Sequence, residues 1–158
     1  MAEPQWLNEE EKRAWHAFVA ASSLVNRRLD QQLKDEVGIT HLQYEILVRL
    51  EAAENREMRM SGLADALLNS KSGLTYQITQ LEKAGLVTRR SCASDVRAVY
   101  AVLTDVGHGM LERAAPGHVA LVRKLLIDVL TPRQLAAVAD GLGEVVQRMQ
   151  EGEPGDVR

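Results

Sequence analysis

Ser70-Lys71-Ser72-Gly73-Leu74-Thr75-Tyr76-Gln77-Ile78-Thr79-Gln80-Leu81-Glu82-Lys83-Ala84-Gly85-Leu86-Val87 is the stretch whose reading decides the fold. Leu74, Ile78 and Leu81 recur at i, i+4 and i+7, which places them on one apolar stripe of a helix. Ser70 suits the N-cap, and Gly85 stands where a left-handed residue would stop the helix. The other face carries Lys71, Ser72, Thr75, Tyr76 and Thr79, with Gln77 at its edge and no carboxylate before Glu82. Short donors and acceptors without anions suit a phosphate-lined groove and the base edges inside it. The same residues also suit an ordinary solvated face, so the helix alone leaves both readings open.

The continuation favours the first. Val87-Thr88-Arg89-Arg90-Ser91 and Ala98-Val99-Tyr100-Ala101-Val102-Leu103 are rich in β-branched and aromatic residues, as strands are. The polar segment Cys92 to Arg97 between them has the length and character of a hairpin loop. A helix followed by a hairpin with a basic tip is the order of a winged helix-turn-helix. Leu81-Glu82-Lys83-x-Gly85-Leu86-Val87-x-Arg89, then Asp95-x-Arg97-Ala98, then Leu103-Thr104-x-x-Gly107 resembles the MarR family of transcription regulators. The resemblance covers roughly residues 10–150.

Composition agrees with a helical chain. Of 158 residues, 46% are hydrophobic but only 4% aromatic, so the core must be built from Leu, Val and Ala rather than from rings. Net charge is -3, yet residues 59–97 hold six basic and three acidic side chains, leaving that segment at +3 and the rest at -6. A basic module on an acidic body is the footprint of one surface meeting phosphate. No apolar run approaches membrane-spanning length, and no secretory signal is expected at the N-terminus. A single cysteine fits a reducing compartment, so a cytoplasmic location is expected.

Along the chain, Asn8 and Glu11 form a capping box that opens a long helix to about Glu36. Its apolar positions, Trp15 and Phe18 among them, need another chain to cover them, which makes the first half a dimer element. Thr40 and Gln43 open a second helix, 51–57 is expected as a loop, and Met58-Arg59-Met60 is a candidate third strand. Ser61 to Leu68 reads as the short helix before the turn into the central helix. A helix from about Asp105 is expected to kink or break at Pro116-Gly117. Thr131-Pro132-Arg133-Gln134 starts a final amphipathic helix, and 151–158 is expected to be a disordered tail.

The expected architecture is therefore mainly α (α+β), one domain over 1–158, with a winged helix-turn-helix module at 40–104. The resemblance implies that helices at 8–36 and 105–150 intertwine into a homodimer. It also implies a regulator, expected to repress, that reads a pseudopalindromic double-stranded DNA operator. Ser70 and Ser72 would hold phosphates beside the free N–H groups of the helix N-terminus. Lys71, Thr75, Tyr76 and Gln77 would read bases, supported by Arg89 and Arg90. Tyr76 departs from the family, which often has Arg there, so the preferred sequence should differ. Arg97 at the wing tip would enter the minor groove, its guanidinium oriented by Asp95; a local turn ion pair is the plainer reading of those two. The family also implies a small aromatic or phenolic effector, for which Trp15, His16, His41 and Tyr44 are the candidates, each of them also compatible with ordinary core or surface.

Other chemistries find less support. No His-Glu-x-x-His, phosphate-binding glycine loop or Gly-x-Ser-x-Gly elbow is present, so no enzyme is expected. His16, His41, His108 and His118 show no metal-ligand spacing, and neither metal nor cofactor is expected. Cys92 lies near Arg89 and Arg90, which would lower its pKa, but an incidental cysteine is favoured over a redox sensor. A winged helix used for protein contacts is the remaining rival.

Overall fold

The computed structural model describes residues 4–152. Six helices and a small sheet follow in the order α1 (Glu9–Val37), α2 (His41–Ala52), β1 (Glu57–Arg59), α3 (Met60–Ala66), α4 (Lys71–Lys83), β2 (Val87–Ser91), β3 (Val99–Leu103), α5 (Asp105–Val122) and α6 (Pro132–Glu151). The architecture is mainly α with one three-stranded antiparallel sheet, a winged helix-turn-helix. Two compact units divide the chain, one ending at Val119 and one beginning at Ala120. The division falls inside the 105–150 segment.

The first unit holds the core. Leu33 of α1, Ile46, Leu47 and Leu50 of α2, Leu63 of α3, and Leu74, Ile78 and Leu81 of α4 are fully buried, together with Leu86 and Val87. Each such side chain contributes about 1.5–3 kcal/mol by leaving water. The stripe Leu74, Ile78, Leu81 therefore fixes which face of α4 points inward, and by subtraction which face is free.

Local chemistry sets the boundaries. Asn8 accepts from the Glu11 N–H at 2.9 Å while Glu11 accepts from the Asn8 N–H at 2.8 Å. Thr40 and Gln43 repeat the reciprocal pair at the start of α2. Gly38 and Gly85, each at φ 75°, close α1 and α4 in the left-handed conformation that glycine tolerates best. After α3, Leu68 takes the same conformation at φ 52°, with the Asn69 N–H donating to the Ala64 carbonyl at 3.0 Å. This is a Schellman closure made with leucine instead of glycine.

The sheet order is β1-β3-β2, with Val87 opposite Leu103, Ser91 opposite Val99 and Met58 opposite Ala101. Thr104 then joins the wing to α5. Its N–H donates to the Leu86 carbonyl at 3.1 Å, its hydroxyl donates to the Gly85 carbonyl at 2.7 Å, and the Gly107 N–H donates back to that hydroxyl at 3.0 Å.

Several expectations need correction. The 51–57 loop is mostly ordered: α2 runs on to Ala52, and a single 3-10 turn at Glu54–Arg56 leads straight into β1. The polar side chains there hid helical continuation, since Glu51 is held by Arg56 and His108. Strand β1 sits one residue earlier than expected, and Met60 begins α3 rather than ending the strand. Helix α3 closes at Ala66, before the expected Leu68, because the left-handed turn is already under way. Helix α5 continues through Pro116 to Val122, and the irregularity falls later, as a π turn at Arg123–Ile127. The hydrogen bond that proline forgoes is offset on the same helix by burial of Leu111 and Ala114.

In the second unit, α6 starts where Thr131-Pro132-Arg133-Gln134 announced it, and Thr131 and Gln134 close as a capping box, with the Thr131 N–H donating to Gln134 at 2.9 Å. Helix α6 has no buried residue, and Leu142, Val145, Val146 and Met149 are exposed along it. It extends through Glu151; the expected tail over 153–158 lies outside the described residues.

Candidate nucleic-acid interface

Burial of the apolar stripe leaves Ser70, Lys71, Ser72, Thr75 and Tyr76 exposed on the outer face of α4. Ser70 is spent on the backbone as the N-cap, accepting from the Gly73 N–H at 3.1 Å. Thr75 donates its hydroxyl to the Lys71 carbonyl at 2.9 Å, so its oxygen can still accept from another molecule. Tyr76 is 62% exposed with its phenol free to meet another molecule. Gln77 differs from the expectation. It is half-buried, and its side-chain oxygen accepts from Gln43 of α2 at 3.1 Å. It ties α4 to α2, because its position is one step round the helix toward the core.

The wing places its cations in two groups. Arg89 turns onto α4, donating to the Thr79 hydroxyl at 2.6 Å and to the Thr75 carbonyl at 3.3 Å. Its own N–H is held by Glu82 at 3.2 Å. Arg90 points to the other side of the sheet, where Glu57 takes its Nε at 3.1 Å and its Nη2 at 2.6 Å, and Tyr100 lies under it at 4.6 Å. Glu57 holds that guanidinium above its ordinary pKa. Arg90 is thus committed to the sheet, and the alternation of strand side chains is the reason that two adjacent arginines part company.

At the wing tip Asp95 does not grip the Arg97 guanidinium. One carboxylate oxygen accepts the Arg97 backbone N–H at 3.0 Å, and the other meets the Arg59 guanidinium of β1 at 3.3 Å. A two-residue separation in a tight loop brings the backbone of Arg97, not its long side chain, to the carboxylate. The Arg97 side chain has no partner among the described residues. Arg59, Arg89 and Arg97 line one groove of about 370 Å³ together with Thr75 and Ser61. Arg59 is the functional candidate that the sequence reading did not single out as a site residue. Its membership of the basic segment was the available signal.

Cys92 is half-buried at the base of the wing. Its thiol is held below the ordinary value first by Ser94, whose hydroxyl lies 3.2 Å away, then by backbone N–H groups, and least by Arg90. The expected arginine effect is the minor one, since Arg90 is neutralised by Glu57.

The effector candidates separate. Trp15 and His16 are exposed on α1, and Trp15 stacks near Phe18 at 6.2 Å between ring centroids. His41 and Tyr44 begin α2, where Asp30 of α1 accepts the His41 N–H at 3.0 Å. Fifteen residues of helix separate Trp15 from Asp30, a span of about 22 Å. One chain therefore does not bring all four to one crevice. Tyr44 instead lines an open, mostly apolar groove of about 380 Å³ with Val48, Leu111 and Ala115, and Glu51, His108 and Glu112 are its polar lining residues.

Comparison with known proteins places this geometry. The MarR family model matches residues 39–99. Sco3205, a MarR family transcriptional regulator from Streptomyces coelicolor solved in complex with DNA, superposes with a TM-score of 0.86 at 39% identity, covering 98% of this chain and 94% of that one. AbsC, a MarR family transcriptional regulator of the same organism, gives a TM-score of 0.89 at 39% identity over 94% of this chain and 99% of its own. The transcriptional repressor MprA of Escherichia coli K12 is 34% identical over 95 residues, which span 60% of this chain but only 53% of MprA. With near-complete coverage by two such relatives, the chain belongs to the MarR family.

Proposed function

We propose that this protein is a transcription regulator that binds a specific double-stranded DNA operator as a homodimer and represses from it. The observation that carries the reading is the groove that Arg59, Arg89 and Arg97 line beside the outer face of α4, which has no carboxylate before Glu82. Helix α4 enters the major groove, with Lys71, Thr75 and Tyr76 toward base edges and Ser72 near phosphate. Arg97, without a partner among the described residues, reaches the adjoining minor groove, while Arg59 and Arg89 face the backbone between. Arg90 and Gln77 shape the module and leave the DNA to the others. The DNA-bound state of the relative Sco3205 supports the assignment.

A homodimer is supported by apolar surface that each unit leaves uncovered. Trp15, Phe18, Val19 and Leu24 are exposed on α1, and Leu142, Val145, Val146 and Met149 on α6. Several large apolar side chains exposed along one helix are the kind of surface that association covers. The open, mostly apolar groove beside Tyr44, of the volume that small ligands occupy, accepts an aromatic or phenolic effector that releases the operator.

Fluorescence anisotropy against DNA from upstream of the gene, at several salt concentrations, tests the reading. Tight binding with a steep salt slope is expected, and Arg97→Ala should weaken it by about 1–3 kcal/mol. Weak binding indifferent to salt and to Arg97 would turn the reading to a winged helix that contacts protein. Titrating salicylate-like acids into the complex examines the effector; no release across a broad panel would remove that class.

A further inference from the structure

Buried polar atoms nearly always find a partner. His118 is an exception: 91% of it is buried in α5, and its Nδ1 is sealed from solvent with no hydrogen bond. The ring is not in an apolar niche. It lies 4.3 Å from the Tyr44 ring and 5.6 Å from the His41 ring, centroid to centroid. Glu45, one turn along α2 from His41, brings a carboxylate oxygen to 3.6 Å from His41 Nε2. One donor atom from each of His41, Glu45 and His118 falls in a group whose members all lie within 4.8 Å of one another.

We propose that His41, Glu45 and His118 form a binding site for a divalent transition-metal ion of the zinc class. Two imidazoles and one carboxylate are the donor set that borderline ions prefer, and three protein ligands leave one position for water or an exogenous ligand. Tetrahedral zinc sets its donors about 3.3 Å apart, given bonds of about 2.0–2.1 Å, so modest rotation of the partly exposed His41 and Glu45 side chains closes the set onto the ring of His118. The surroundings are prepared for this. The Asp30 carboxylate anchors the His41 backbone from α1, and the Tyr44 ring holds the plane of His118. Burial holds the His118 imidazole below its ordinary pKa. Seventy-seven residues separate His41 from His118, which is why no ligand spacing shows in the sequence. The ion would join α2 of the winged module to α5.

The site is tested on the full chain without DNA, so its failure is separate from failure of the DNA reading. Chelator-stripped protein is titrated with Co²⁺, read by visible absorption, and with Zn²⁺ in competition with a chromogenic chelator. One ion per chain is expected, with the intense bands of four-coordinate cobalt. His118→Gln and Glu45→Gln should each weaken Zn²⁺ binding at least about tenfold, while His16→Gln, on the exposed part of α1, leaves it unchanged. Should His118→Gln fail to fold, the partly exposed positions Glu45→Gln and His41→Gln decide the matter. Absence of the cobalt bands in wild type, or equal Zn²⁺ affinity in wild type and the folded ligand variants, overturns the site.

Discussion

The carboxylate of Asp95 at the wing tip meets the guanidinium of Arg59, 36 residues earlier on β1, at 3.3 Å. The wing is thereby tied to the edge strand of its own sheet, and Arg97 is left with its side chain unpaired among the described residues. Both partners of the pair are about half exposed, so its worth to folding is small, about 0.2–1 kcal/mol. Its consequence is positional. Asp95→Ala should change the urea midpoint little yet lower operator affinity, even though it removes a negative charge. Arg59→Ala should lower affinity across all sequences and reduce the salt slope by about one. Anisotropy titrations of both variants at several salt concentrations check this; an unchanged slope in Arg59→Ala would confine Arg59 to the Asp95 pairing.

Gly107 lies in the first turn of α5 directly against the Leu86 carbonyl, and a Cβ there would also meet the Leu103 side chain at 2.6 Å. The obstruction is mostly backbone, at the junction that Thr104 already ties to Gly85 and Leu86, so it cannot swing aside. Gly107→Ala should destabilise by about 1–3 kcal/mol, as overpacked sites do. Urea denaturation should show a lower midpoint at an unaltered m-value.

Leu68 is a leucine in the left-handed region, between the two helices of the helix-turn-helix, and it is 64% exposed. That backbone costs a β-carbon about 1–2 kcal/mol, whereas glycine adopts it freely but gives up more entropy on folding. Leu68→Gly should therefore gain about 0.5–1 kcal/mol, and the β-branched Leu68→Val should lose stability. Thermal melts of the pair give the two signs; a loss in both would mean that the Leu68 side chain matters more than its backbone.

Ser94 keeps the Cys92 thiol below its ordinary pKa, helped by backbone N–H groups and, least, by Arg90. A depressed pKa means that thiolate is present at lower pH in the folded chain than in the unfolded one. Iodoacetamide alkylation of native protein should accordingly rise at lower pH than in urea, and Ser94→Ala should shift the profile upward. Coincident native and unfolded profiles would show that the wing does not activate this thiol.

Much of this fold is legible one element at a time. Asn8 with Glu11, Thr40 with Gln43, and Thr131 with Gln134 announce three helix starts within four residues each, and all three close as capping boxes. The i, i+4, i+7 stripe of α4 and the β-branched runs flanking the Cys92–Arg97 loop are equally local. Strand β1 is the counterexample. Three residues are too few for a period of two to show, and its placement depends on hydrogen bonds from β3.

The sequence by itself therefore determined the helices, the hairpin, the inward face of α4 and the family, because capping, periodicity and turn chemistry act across a few residues. Only the tertiary structure decided which polar groups are free. Gln77 is taken by Gln43, Arg90 by Glu57 and Asp95 by Arg59, and His118 is brought to His41 and Glu45. Each of these pairings joins different elements and depends on sheet register and helix rotation. Those are set by burial of the whole core, which no short stretch of chain encodes.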